Sequence, residues 1–167
     1  MDYLFRKAKH PDTERIWQII LQAKEQMRRL NSRQWSDNYP AVENITNDIN
    51  NGYGYVLCDA DAIIAYGAVV FDGEPVYGKI QGKWLTDFPY VVLHRLAVAE
   101  EVKNRGVATS YMKEVMKLGK RKGVGSFRVD TNFDNLYMHK MLSTLEFTYC
   151  GEVFYDKGQR MAYEKAL

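Results

Sequence analysis

The chain has 167 residues, 46% hydrophobic and 26% charged, with 23 Lys and Arg against 21 Asp and Glu for a formal charge of +2. A chain of this length forms one domain and buries roughly 70% of its unfolded surface, so it needs no disulfide or metal staple. So small a charge argues against a nucleic-acid partner, and no apolar run nears the roughly 18 residues of a membrane span. The opening Met1-Asp2-Tyr3-Leu4-Phe5 lacks a signal peptide's order, so a soluble cytoplasmic domain is expected.

Tyr3–Ala8 reads as a first strand. His10-Pro11-Asp12-Thr13-Glu14 is a helix-start signal, with Asp12 or Thr13 available to cap exposed N–H groups. Ile16, Ile20, Ala23, Met27 and Leu30 follow at helical spacing and mark one buried stripe. Tyr39-Pro40 opens a shorter helix with Val42, Ile45 and Ile49, stopped at Asn51-Gly52. Tyr53–Cys58 and Ile63–Phe71 are β-rich runs joined through Asp59-Ala60-Asp61 as a hairpin. Val76–Pro89 reads as an irregular loop around Trp84 and Leu85, and a loop this long in a compact domain usually serves function or a partner. Tyr90–Val98 is apolar on both sides apart from His94-Arg95 and belongs in the middle of a sheet.

That strand runs through Lys103-Asn104-Arg105-Gly106 into a helix with Val107, Met112, Val115, Met116 and Gly119 on one face. A strand at Phe127–Thr131 then leads to Asp134-Asn135, where a further helix carries Leu136, Met138, Met141, Leu142 and Leu145. Strands Phe147–Glu152 and Met161–Lys165 close the chain. The order implies an α/β domain over residues 1–167, a mixed, mostly antiparallel six- to seven-stranded sheet with helices on both faces. Cys58 and Cys150 sit in apolar runs without a CxxC pattern and read as free structural thiols. His10, His94 and His139 show no ligand spacing, so no metal is expected. Lys113, Lys117, Lys120 and Arg121 have the spacing of a solvated helix face, which favours no nucleic-acid role.

Chemistry concentrates where the Tyr90–Val98 strand turns through Gly106 into a helix. The first N–H groups of a helix are unpaired and lie at its positive end, Gly106 admits a close approach, and Lys103 and Arg105 add charge. This is an anion site in form, though neither the Gly-Lys-Thr phosphate loop nor GxGxxG is present. Taken alone, the segment is equally an ordinary strand-to-helix loop with surface Lys and Arg.

Leu96-Ala97-Val98-Ala99-Glu100, Lys103-x-x-Gly106-x-Ala108, Asn135 and Leu145-Glu146-Phe147 together resemble the GNAT family of acyl-CoA-dependent N-acetyltransferases. The family signature is Arg/Gln-x-x-Gly-x-Gly/Ala at a helix start; Lys103 replaces its first residue, and Glu146 replaces the Gly of a closing Leu-Gly-Phe. The element order fits along essentially the whole chain. The resemblance implies a GNAT-like fold, acetyl-CoA as acyl donor and direct transfer to a primary amine of a small molecule or peptide. It places the coenzyme where strand Tyr90–Val98 splays from Phe127–Thr131. Backbone groups of Leu96, Ala97 and Val98 would pair with the pantetheine arm, and the N–H groups of Lys103, Asn104, Arg105, Gly106, Val107, Ala108 and Thr109 with the pyrophosphate. Asn135 would bond the pantetheine or the backbone beside it. The alternative is a non-catalytic acyl-CoA-binding or interaction module of the same fold.

A lysine-like amine has a pKa of about 10.4, so roughly one in 2,500 is the free nucleophile near pH 7. A base is therefore needed, as is an acid for the departing thiolate, and a strand N–H can hold the oxyanion. His94 is the base candidate, one same-face step before Leu96, and a hydrogen-bonded structural His is the plainer reading. Many family members carry a Tyr acid seven residues after the Asn; that place is Leu142 here. Tyr137 is nearby but about 140° round the helix. Glu100 and Glu101 read as charged loop residues. Trp35 and Tyr39, with Trp84 opposite, are the candidates to line an acceptor cleft through cation–π attraction, or else fill local core. The Trp84 loop also leaves a homodimer open.

Overall fold

Twelve elements follow one another in the computed structural model, which describes residues 2–167. They are β1 (Leu4–Lys7), α1 (Thr13–Arg29), α2 (Val42–Asn50), β2 (Gly54–Asp59), β3 (Ala62–Val70), β4 (Gln81–Gly82), β5 (Tyr90–Val98), α3 (Val107–Arg121), β6 (Ser126–Thr131), α4 (Leu136–Thr144), β7 (Thr148–Tyr155) and β8 (Gly158–Ala166). The strands form one mixed sheet in the order β1-β2-β3-β5-β6-β8-β7-β4. β5 is thus central, as its two-sided apolar pattern requires: Val91, Val92 and Leu93 are all buried. The chain divides into two units, Met1–Val69 with His94–Glu114, and Val70–Leu93 with Val115–Leu167.

In the first unit, β1 pairs antiparallel with β2, and β2 with β3 across a turn whose Ala60 has φ +52. α1 buries Ile16, Ile19, Ile20 and Ala23 into a core with Trp35, Ile45, Val56, Cys58, Ile63 and Tyr66. Met27 packs at its margin, but Leu30 lies past the last helical turn and is exposed. Neither expected cap serves α1. A 3-10 turn at His10–Asp12 precedes it, and Arg6 draws the Asp12 carboxylate back through two hydrogen bonds while the Lys9 N–H donates to it. The Thr13 hydroxyl donates to the His10 carbonyl.

In the second unit, β8 pairs antiparallel with both β6 and β7, and the start of β5 pairs parallel with β6 from Tyr90↔Ser126 to Val92↔Arg128. The segment expected as an irregular loop is ordered. It carries a 3-10 turn at Pro75–Lys79 and then β4, the strand beyond the six or seven expected. β4 pairs with β7 where Gly82 meets Gly151. The backbones approach so closely that a Cβ on Gly82 would collide with the Cys150 carbonyl, and one on Gly151 with that of Gln81. Glu164, fully buried on β8, fastens the rest of the segment. Its carboxylate accepts from the Leu85 and Thr86 N–H groups and from the Thr86 and Ser126 hydroxyls, and it pairs with Arg128. Burial opposes its charge, and these bonds outweigh burial, so its pKa lies below the usual carboxylate range. Cys58 and Cys150 are buried free thiols whose pKa values burial pushes up, which leaves them unreactive.

Candidate functional site

Within β5, Arg95 adopts φ +58, a left-handed conformation that costs an ordinary residue about 1–2 kcal/mol. Its side chain explains why it persists. The Nε and Nη2 groups both donate to the Asp48 carboxylate on α2, and Nη1 donates to the Tyr39 hydroxyl at 2.9 Å. The Tyr66 hydroxyl adds a further hydrogen bond to Asp48 at 2.6 Å. Asp48 is only 3% exposed, so this is a buried ion pair with its acceptors engaged. The strain is sustained because surrounding structure over-determines it. One expectation falls with it: His94 and Leu96 are not related by a simple same-face step, since a left-handed residue turns the strand between them. His94, Arg95 and Leu96 are all half-buried instead of alternating.

Beyond Arg95 the strand continues through Leu96, buried Ala97 and Val98 into a 3-10 turn at Glu100–Val102. Glu101 is tied to α1 by Arg15 and Gln22, and the Arg15 hydrogen bond first among these holds its pKa below the usual range. The Glu100 N–H donates to Gln22. Two left-handed residues, Asn104 at φ +63 and Gly106 at φ +73, then turn the chain into α3. Val107 and Ala108 are buried and anchor the turn from below, while Asn104, Arg105 and Gly106 are exposed. A Cβ on Gly106 would meet nothing within 4 Å, so the backbone here faces open space. The Ser110 N–H bonds the Gly106 carbonyl, which starts the helical ladder and leaves the N–H groups of Val107, Ala108 and Thr109 ahead of it. This cradle of amides, with Lys103 and Arg105 beside it, fits an anionic diphosphate. Among the described residues no cluster of His, Cys, Asp or Glu could hold a metal ion.

The other sequence candidates are placed as follows. Trp35 is 9% exposed within the core of the first unit, and Tyr39 packs against that core with its hydroxyl on Arg95. In the second unit, the Trp84 indole N–H donates to the Tyr77 carbonyl, and its ring packs on Tyr77 and on the Arg128 guanidinium. All three aromatics thus make contacts inside their own units; on the Trp84 segment it is Leu85 and Phe88 that are exposed. Asn135 is the N-cap of α4 and accepts from the Met138 N–H. Tyr137, the second residue of α4, is exposed, whereas Leu142 is fully buried. Lys113, Lys117, Lys120 and Arg121 are exposed, as their spacing indicates.

Further polar groups are satisfied within the fold. Asp130 of β6 accepts the hydroxyls of both Tyr77 and Tyr155, each at 2.7 Å. His139 of α4 is bonded through Nδ1 to the Tyr163 hydroxyl and through Nε2 to the Asn132 carbonyl. The Tyr111 hydroxyl, sealed beneath α3, donates to the Tyr55 carbonyl. An Arg inside an apolar strand was the one signal available for Arg95. Its partner Asp48 lies 47 residues away, and no local pattern joins the two.

Comparison with known proteins bears on the same segments. The family model described as the acetyltransferase (GNAT) family matches residues 20–147, which include β5, the Lys103–Gly106 turn and α3. A crystal structure of a GNAT-family acetyltransferase from Streptococcus agalactiae 2603 is 33% identical, with a TM-score of 0.89 over 99% of this chain and 95% of that one. A GNAT-family acetyltransferase from Listeria monocytogenes 4b F2365 shares the fold at 21% identity, with a TM-score of 0.78 and the same coverage, 99% and 95%. The ribosomal-protein-S18-alanine N-acetyltransferase of Escherichia coli shares it at 13% identity and a TM-score of 0.64, over 99% and 93%. No curated protein matches the sequence. The chain belongs to the GNAT acetyltransferase family.

Proposed function

We propose that the protein is an N-acetyltransferase that takes acetyl from acetyl-CoA and passes it directly to a primary amine of a small molecule or peptide. The observation that carries this reading is the open, left-handed turn at Asn104–Gly106, which presents the first amides of α3 inside the region matched by the family. In this reading the backbone of Leu96, Ala97 and Val98 pairs with the pantetheine arm. The N–H groups from Lys103 to Thr109 hold the pyrophosphate, and Lys103 and Arg105 supply countercharge. Bound acetyl-CoA supplies an acyl thioester, the activated group an amine attacks. Its ribosomal-protein relative acts, by its name, on an alanine of ribosomal protein S18, which makes peptide amines one acceptor class to try.

His94 is the base we assign, since an imidazole nitrogen can take a proton from the attacking amine and this one stands on β5 beside the left-handed Arg95. Leu142 is sealed in the core and can supply no acid there, so Tyr137, exposed on the first turn of α4, is the hydroxyl we assign to the thiolate. That same Leu142 favours the second reading, a module that binds acyl-CoA without turnover.

One experiment separates them. The protein is incubated with acetyl-CoA and polyamines, amino acids, aminoglycosides or peptides with free N-termini, while free thiol is followed. Turnover with at least one acceptor is expected, and His94→Ala lowers it and alters its pH–rate profile. Coenzyme binding without thiol release in any mixture would establish the module instead.

A further inference from the structure

Among the described residues, those other than glycine with positive φ are Asn31, Ala60, Arg95, Asn104 and Glu146. All but Arg95 lie in turns between elements, where the chain changes direction; Arg95 is inside β5. An arginine has neither glycine's freedom nor the short polar side chain with which asparagine supports itself in this region. The conformation is therefore imposed by whatever holds the side chain. Backbone outliers held in this way concentrate at functional sites.

The holding groups all belong to the first unit, as do His94 and Leu96 on either side of Arg95. Asp48 of α2 accepts from Nε and Nη2, and the fully buried Tyr66 donates its hydroxyl to the same carboxylate. Tyr39 accepts from Nη1, and its own backbone exchanges hydrogen bonds with Ser36 in both directions. All three guanidinium nitrogens are thus engaged, and a planar fork so engaged tolerates little change in the backbone that carries it. As a source of stability such a pair is poor, because apolar residues of equal volume often serve as well. Its distinctive effect here is on a backbone angle.

In a regular strand side chains alternate, so an ordinary φ at Arg95 would return Leu96 to the face of His94. At φ +58 the chain that follows is turned relative to the chain before it, as bulged residues turn strands beside active sites. Before the turn stands His94, the assigned base. After it run Leu96, Ala97 and Val98, the backbone assigned to the pantetheine arm.

We propose that Asp48 and Tyr39 are positioning residues, which act through Arg95 to set the angle between the His94 side chain and the Leu96–Val98 backbone. The inference rests on the N-acetyltransferase reading and deepens it, since it gives α2 a part in coenzyme binding that is exerted only through the strand.

Two double variants isolate the angle: Asp48→Asn with Arg95→Gly, and Asp48→Asn with Arg95→Ala. Both remove the ion pair without stranding a charge, and they differ only in the methyl group at position 95. Glycine takes a positive φ without strain, whereas alanine does not. Acetyl-CoA affinity is read by calorimetry and kcat by thiol release, each below the unfolding transition of the variant. The glycine variant should bind within about 3-fold of wild type, and the alanine variant about 10-fold more weakly, the factor that a left-handed conformation costs a residue with a Cβ. The kcat values should fall in the same order. Equal affinities in the two variants overturn the proposal, whether both match wild type or both are weakened. Tyr39→Phe keeps the ion pair and should weaken acetyl-CoA binding by a few fold; if the double variants do not fold, an unchanged affinity in Tyr39→Phe overturns the proposal. Acetyl-CoA binding without thiol release in the wild type sinks the acetyltransferase reading and leaves the affinity comparison to decide the positioning. A wild type that binds no acetyl-CoA overturns both.

Discussion

Asp48 in the first unit and Asp130 in the second are built alike up to a point. Each receives a tyrosine hydroxyl, from Tyr66 in one case and from Tyr77 and Tyr155 in the other. Asp48 then meets the guanidinium of Arg95, whereas among the described residues Asp130 forms no ion pair. The difference separates two uses of a carboxylate. A buried charge matched by an arginine holds backbone in place, here the left-handed residue of β5. A half-buried charge that accepts two hydroxyls orders side chains instead, here Tyr77 and Tyr155.

The largest effect expected is at the matched site. Asp48→Ala would leave Arg95 buried without its counter-ion, and denaturant unfolding should show a loss of about 3–5 kcal/mol. A loss below about 1 kcal/mol would erase the distinction between the two aspartates. Glu164→Gln, which strands Arg128 in the same way, should cost about 3 kcal/mol at pH 7. Its effect carries a pH signature. The folded pKa of Glu164 is depressed, so its stabilisation is fully present above the ordinary value of about 4.3 and is lost as pH falls through the lower folded value. The gap between wild type and Glu164→Gln should therefore shrink when unfolding is repeated below about pH 4.

Gly106→Val probes the turn. A β-branched residue is strained at φ +73, and its side chain would project into the open space over the amides. Coenzyme affinity measured by calorimetry should fall by at least about 10-fold, or 1.4 kcal/mol. Retained affinity would remove the turn from the binding site. The smallest stability effect belongs to Asp130→Asn, within about 1 kcal/mol of wild type, because the amide oxygen can still accept both hydroxyls and no partner charge is left stranded. A large destabilisation would make Asp130 a structural residue like Asp48.

Much of this architecture was legible beforehand. The bounds of β5 coincide with the run Tyr90–Val98, and the α1 stripe at Ile16, Ile20 and Ala23 is the buried face, because spacing alone selects the side that can be desolvated. The Lys103–Ala108 motif sits on the turn into α3 for a local reason too, since only a residue free to take φ +73 fits there. β4 was missed because two residues carry no period, and its place depends on Gly151, which is remote in sequence. The Asp12 cap failed since Arg6, on another element, competes for the same carboxylate. The expected aromatic wall of Trp35, Tyr39 and Trp84 ran into the same limit: composition reveals rings but not whether other groups already occupy them.

By itself, then, the amino-acid order determined every element but β4, the two-sided apolar pattern of the central strand, the turn into α3 and the family to which that turn belongs. Each of these depends on neighbours within a few residues, where helical and extended periods act. Tertiary structure alone decided which charges are matched. Arg95 finds Asp48, Arg128 finds Glu164, and Asp130 takes the hydroxyls of Tyr77 and Tyr155. Coulomb attraction and desolvation depend on distance and burial in space, and sequence separation encodes neither.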